Sequence, residues 1–285
     1  MLFGLLAALG WGTADLMAAF AGRRIGSSRT VAIAQVVSLA ALVAIGWMFG
    51  QGFSAGGTAV AVLVANGVLA AAAYITLYRA LELGPVALVS PIVAAYAAIS
   101  IPLAVVFKGE ILGSVLVFGI MLTIGGVVAA ATDPRALRGR LFQAGIPWAF
   151  ASMALFGVAT FVLGDWSQRI GWYPASLLSR VGNVGGVLLF AWAVRRRPAP
   201  GPVTPRAVAM SAAVGVADIA GVIAYARGTQ LALISVVTAA SAAFILIPVA
   251  GGLVLLKERP AVTQLAGVAA VLVGLVLLGL GLPSG

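Results

Sequence analysis

The sequence predicts an all-α integral membrane fold of ten transmembrane helices, and three observations carry that prediction. Only 8% of the 285 residues are charged and 62% are hydrophobic, whereas a soluble domain carries about 25% charged residues. The mean hydropathy is +1.16, and no polar block is long enough to form a separate aqueous domain. Apolar stretches of about 20 residues, the length that crosses the hydrocarbon core, recur along the whole chain.

Breaks at Arg, Gly and Pro clusters place these spans in order. The first, near 2–21, runs into Arg23-Arg24-Ile25-Gly26, and the second, near 30–50, ends at Gly50-Gln51-Gly52. The third, 58–80, stops at Arg79, the fourth, 86–107, at Lys108-Gly109, and the fifth, 111–131, before Asp133-Pro134-Arg135. Spans six to ten lie near 143–163, 173–194, 207–227, 233–256 and 261–282, separated by Arg169, Arg195-Arg196-Arg197, Arg227 and Lys257-Glu258-Arg259-Pro260. Strands of a membrane barrel would be about 10 residues of alternating polarity, whereas these runs are apolar on every side. Helices are therefore expected, because they satisfy each backbone group within the span. The apolar start Met1-Leu2-Phe3 has no basic segment before it, so Leu2 to Phe20 is read as a retained span.

Composition excludes several kinds of chemistry. The chain has neither His nor Cys, which removes disulfides, thiol nucleophiles and the ligands of most zinc sites. No GxxxxGK[ST] loop is present, so the chain itself does not hydrolyse ATP. Neither a cofactor nor a metal is expected, and seven scattered acids without His argue against an enzyme acting on lipid-linked substrates. The net charge of +10 sits in loops, which points to topology and away from nucleic acid. Thirteen Lys and Arg follow odd-numbered spans and three follow even-numbered ones. The positive-inside rule puts the thirteen in the cytoplasm and both termini outside. The expected partners are the lipid bilayer and a small-molecule substrate, with the chain a monomer or weak oligomer.

The chain also repeats itself. At an offset of 145, Arg24-Ile25-Gly26 falls on Arg169-Ile170-Gly171 and Gly12 on Gly157; at 148, Arg79 falls on Arg227, Leu83 on Leu231, Glu110 on Glu258 and Gly119 on Gly267. Two five-span repeats, 1–132 and 143–285, joined by a basic linker at 133–142, account for this. An odd number of spans makes the second copy enter from the opposite side, the inverted repeat common in secondary transporters.

The stretch Tyr78-Arg79-Ala80-Leu81-Glu82-Leu83-Gly84-Pro85-Val86-Ala87, then Ser90-Pro91 and Gly109-Glu110, resembles an EamA-type repeat of the drug/metabolite transporter superfamily. Arg227 to Leu231 and Leu256-Lys257-Glu258-Arg259-Pro260 are similar. The resemblance implies a ten-helix inverted-repeat basket in a bacterial inner membrane that moves small metabolites, often exporting amino acids as YddG-like members do. Pro91 has no counterpart, since Ala239 occupies its place. A helix break there is expected in the first half alone.

Charges inside spans mark the candidate binding residues. A carboxylate at the centre of a span costs about 2.5–3.5 kcal/mol on insertion scales, so Asp15 must face water, meet a cation or be protonated. Trp11 shares its helical face. Arg180 keeps its charge under burial and demands an anion, either a substrate carboxylate or Asp15 or Asp218; Asn183 and Ser176 lie one turn to either side. Asp218 occupies mid-span in the second copy where the first has Ala70, and it reads equally as a ligand or a structural acid. Tyr74, Tyr78 and Tyr96 offer apolar faces with polar tips for a cavity wall, Tyr78 alternatively as an interfacial anchor. Trp47, Trp148, Trp166, Trp172 and Trp192 fall near span ends as belt residues, and Glu110 and Glu258 read as structural acids closing the repeats.

Overall fold

Long runs of Ala, Gly, Leu and Val leave the backbone no partner but itself in an apolar medium, and the chain answers with helices throughout. The computed structural model describes residues 2–84, 86–111, 113–131, 144–194, 202, 204–254 and 261–281, and among them there is no strand. In order, the helices are α1 (Leu2–Ile25), α2 (Ser27–Met48), α3 (Gly57–Leu83), α4 (Val86–Ala94), α5 (Ala97–Lys108) and α6 (Ser114–Ala131). After them come α7 (Ile146–Ile170), α8 (Trp172–Val194), α9 (Pro205–Leu231), α10 (Ile234–Ser241), α11 (Leu246–Val254) and α12 (Val262–Leu280). Seven helical segments of the described residues are long and apolar enough to cross a membrane, and shorter apolar helices cover Ser114–Thr123, Ile234–Pro248 and Leu265–Leu277. The expected linker at 133–142 and the residues Lys257, Glu258 and Arg259 lie outside the described residues.

Glycine sets two of the reversals. Gly26, at φ 89°, turns α1 directly into α2, and Gly171, at φ 93°, turns α7 into α8. Both conformations lie in the region that a side chain disfavours, and the two positions are 145 residues apart.

The expectation of a break confined to the first half is corrected by the structure. One apolar stretch is interrupted between α4 and α5 at Ala95-Tyr96, and the corresponding one between α10 and α11 by a 3-10 turn, Ala242–Ile245. The second break owes nothing to position 239. Pro248 lacks the N–H that would bond the Phe244 carbonyl four residues back, and its ring crowds that carbonyl, so the chain tightens just there. Pro102 stands in the same relation to Ala98, directly after the first break.

The helices approach one another where side chains are missing. A methyl group on Gly67 of α3 would overlap the Ser179 carbonyl of α8, and one on Gly215 of α9 would overlap the Ala34 carbonyl of α2. Likewise Gly12 of α1 faces the Phe244 carbonyl, and Gly157 of α7 the Tyr96 carbonyl. Gly126 of α6 meets the Gly267 carbonyl of α12, and Gly274 of α12 the Gly119 carbonyl of α6. In each pair of contacts both partners are related by an offset of 145 or 148, so the contacts are reciprocal. Helices α1 and α9, and α3 and α8, pack along each other around the centre, while α6 and α12 form a pair at the side of α4 and α10.

These close approaches are testable. Gly67→Ala and Gly215→Ala each force a methyl into backbone and should cost about 1–3 kcal/mol, read as a lower melting temperature in detergent. Gly57→Ala, with nothing within 4 Å of the added carbon, should leave the melting temperature unchanged or raised.

Candidate functional site

Four helices bring their polar residues to one place. Ser38 and Gln35 on α2, Tyr74 on α3, Arg180 on α8 and Asp218 on α9 converge in the interior, each less than a tenth exposed. Arg180 Nη1 lies 2.9 Å from Asp218 Oδ2 and also donates to Gln35 Oε1. Tyr74 donates its hydroxyl to Asp218 Oδ1, Ser38 donates to Oδ2 at 3.3 Å, and the guanidinium sits 5.8 Å from the Tyr74 ring centroid. With residue exposures of 4% for Arg180 and 1% for Asp218, each charge depends on the other for compensation. The structure therefore meets the demand of Arg180 for an anion from within the chain, through Asp218 and not Asp15.

Asp15 is left over. It lies past the middle of α1 at 7% exposure, and among the described residues it has neither an ion-pair nor a hydrogen-bond partner. It borders a cavity of about 80 Å³, room for several waters. Trp11, Tyr74, Tyr96, Arg180, Asn183 and Asp218 border the same cavity, so the sequence-expected residues come together from five elements of the fold. Tyr96 sits on the first helix break and bonds Ser241 at 2.6 Å, and Phe244 on the second break stacks against it at 6.4 Å.

Tyr78 is the exception and is corrected here. It is buried, so it is no interfacial anchor, and it does not border the cavity. Its ring meets that of Tyr74 edge-on at 6.2 Å, holding Tyr74 from behind. Tyr225 plays the same part for Trp11, with centroids 5.5 Å apart and its hydroxyl fixed by Thr160 and Thr238.

Sequence reasoning missed Gln35, Ser38 and Asn66. The repeat could have found two of them, since Gln35 and Ser38 stand 145 residues before Arg180 and Asn183. It also missed Asp165, which binds Lys108 and Arg169 at 2.8 Å each. Glu110 acts as the structural acid expected of it. Its carboxylate accepts from the Ile234 and Ser235 amides at the start of α10 at 2.9 and 3.1 Å, satisfying donors that a helix N-terminus leaves free. Trp47, Trp148 and Trp192 are exposed, as a membrane belt requires.

An all-helical, multi-pass membrane protein with a charged cavity enclosed by its helices is what fold and site define. Residues 1–132 match the EamA-like transporter family, and this half of the chain carries an EamA-like domain of the drug/metabolite transporter type. No curated protein matches the chain by sequence. Solved structures do match, among them a crystal structure that aligns with a TM-score of 0.71 over 98% of this chain and 96% of its own, at 17% identity. That likeness speaks for the fold alone.

Removing one member of the Arg180–Asp218 pair leaves the other buried without its counter-charge, at about 3–5 kcal/mol. Arg180→Met and Asp218→Leu should each lower the melting temperature substantially. The double variant should lose less than the two single losses added together, as coupled neighbours do.

Proposed function

We propose that the protein is a secondary transporter that exports small polar metabolites, amino acids above all, across a bacterial inner membrane by alternating access. The observation that carries this reading is Asp15: a buried carboxylate without a partner in the wall of a cavity formed by helices from both halves of the chain. A charge so placed is unfavourable until a cation meets it, and a ligand ammonium supplies one. The ligand carboxylate then turns toward Arg180, which holds Asp218 and Gln35 through Nη1 and has further N–H groups on its other nitrogens. Trp11, Tyr74 and Tyr96 wall the space between. In this reading the solute is carried and not converted.

In this reading the chain is two inverted five-helix repeats, 1–132 and 143–285, joined by the basic segment 133–142. The reciprocal glycine contacts support that arrangement, because each contact recurs with both partners displaced by one repeat. The paired breaks beside Tyr96 and Phe244 support it as well, since discontinuous helices line the midplane site in such transporters. Basic loops following odd-numbered spans face the cytoplasm. A cytoplasm-dependent reporter fused to the C-terminus should be inactive and a periplasm-dependent one active; the opposite result reverses the orientation.

A second reading, export of hydrophobic cations, is favoured by the aromatic rings of Phe156 and Phe244, which join the three named above around Asp15. Counterflow in proteoliposomes separates the two. Saturable, trans-stimulated exchange of amino acids is expected, falling at least about tenfold in Asp15→Asn, in line with the loss of a charge-assisted hydrogen bond. Exchange of organic cations without exchange of any amino acid would favour the second reading.

A further inference from the structure

Resting on the amino-acid reading above, we infer that the substrate carries a small, uncharged side chain that both donates and accepts hydrogen bonds, a hydroxyl or a carboxamide, and that Asn183, Ser176 and Asn66 read it. These three residues border the same cavity, and all three hold polar side-chain atoms that are buried without a partner. Asn183 is the extreme case, with both Nδ2 and Oδ1 unsatisfied at 2% exposure. Ser176, one turn before Arg180 on α8, leaves its hydroxyl unpaired, and Asn66 of α3 leaves Oδ1 unpaired. The Asn66 amide has a fixed sense, because Nδ2 donates to the Ala159 carbonyl at 3.2 Å and to Ser179 Oγ at 3.3 Å. Its free atom is therefore an acceptor.

Buried polar groups are almost always paired, and four residues around this one cavity are not, these three and Trp11 with its indole N–H; a bound ligand is a cause they can share, and the indole adds one more donor for it to meet. Their chemistry selects the group that would satisfy them. Asn183 Oδ1 and Asn66 Oδ1 need a donor, Asn183 Nδ2 needs an acceptor, and the Ser176 hydroxyl takes either role. A carboxylate side chain would accept from Nδ2 and be repelled by two carbonyl oxygens. An ammonium would leave Nδ2 without a partner, and an aliphatic side chain would satisfy none of the three. A hydroxyl or carboxamide offers both senses at once, and a cavity of about 80 Å³ favours a small one. Ser176 and Asn183 lie one turn before and one turn after Arg180 on α8, and Asn66 borders the cavity from α3. The charged head of the substrate lies between Asp15 and the guanidinium, and its side chain turns toward Asn183 and Asn66, with Ser176 at the far side of Arg180 a secondary contact.

The test is competitive counterflow in proteoliposomes with near-isosteric pairs, radiolabelled threonine against valine and asparagine against leucine. Wild type should prefer the polar member of each pair by at least about tenfold, as sites that hydrogen-bond a substrate group reject analogues lacking it. Asn183→Leu should erase that preference, bringing the ratios of threonine to valine exchange and of asparagine to leucine exchange down to about one. Because it removes two unsatisfied buried atoms, it should melt at the same temperature as wild type or higher. Ser176→Ala, a smaller change, should reduce the threonine preference in part. Exchange of all four amino acids without preference, or a preference that survives Asn183→Leu, overturns this assignment and leaves the transport reading intact. That outcome is also the one expected if ordered water alone fills the polar end of the cavity. Absence of exchange with any amino acid, in folded protein, overturns the amino-acid reading itself and this assignment with it.

Discussion

The Arg180–Asp218 pair is the constraint on which the interior depends. An arginine cannot give up its proton to escape burial, so once position 180 faces inward every neighbouring element must answer its charge. Asp218 answers from α9, Gln35 from α2, and Tyr74 from α3 by holding the other carboxylate oxygen. Against well-packed apolar residues such a pair adds little net stability. Its effect is on register: sliding any of the four helices by a residue would leave a charge or hydroxyl unmatched. It also uses up Asp218, which is why Asp15 stands alone among the cavity acids.

Around this pair, a near-symmetric frame carries an asymmetric lining. Glycine contacts recur at the same offsets because close helix approach depends on backbone shape. The charges that border the cavity do not recur. Arg180 corresponds to Gln35, Asp218 to Ala70 and Asp15 to Thr160, at the offsets that align the glycines. The helix ends repeat the pattern: Arg79 is neutralised by Glu82 at 2.9 Å, whereas Arg227 meets only the amide of Gln230 at 2.7 Å. Symmetry thus belongs to packing and asymmetry to what the cavity presents.

What could be read in the sequence follows from the same division. The helical spans were legible because hydropathy over about 20 residues is a local property, and Asp15, Arg180 and Asp218 were legible because charge inside a span is costly enough to stand out. The partner of Arg180 was not legible, since Asp15 and Asp218 satisfy the same demand on paper and only the rotation of α8 against α9 decides between them. Tyr78 failed for a similar reason: it lies one turn from Tyr74, close enough to share a stripe and far enough to fall behind it. Asn66, an uncharged amide in a mid-span position, gives no hydropathy signal that separates it from ordinary polar residues in helices. The second helix break was hidden because the sequence comparison followed Pro91, while the proline that acts is Pro248.

The breaks tie the frame to the lining. A continuous helix would carry its backbone past the cavity with every carbonyl and amide internally bonded and would turn its side chains in a regular spiral. Interrupting the run at Ala95-Tyr96 and at Ala242–Ile245 re-aims one ring from each half, and Tyr96 and Phe244 come to stack over the same cavity with 26° between their planes. The Tyr96 hydroxyl is then held by Ser241, whose own hydroxyl bonds back to the Thr238 carbonyl within α10. Each break therefore braces the ring supplied by the other, and the backbone just beyond each, at Pro102 and Pro248, lacks a helical hydrogen bond.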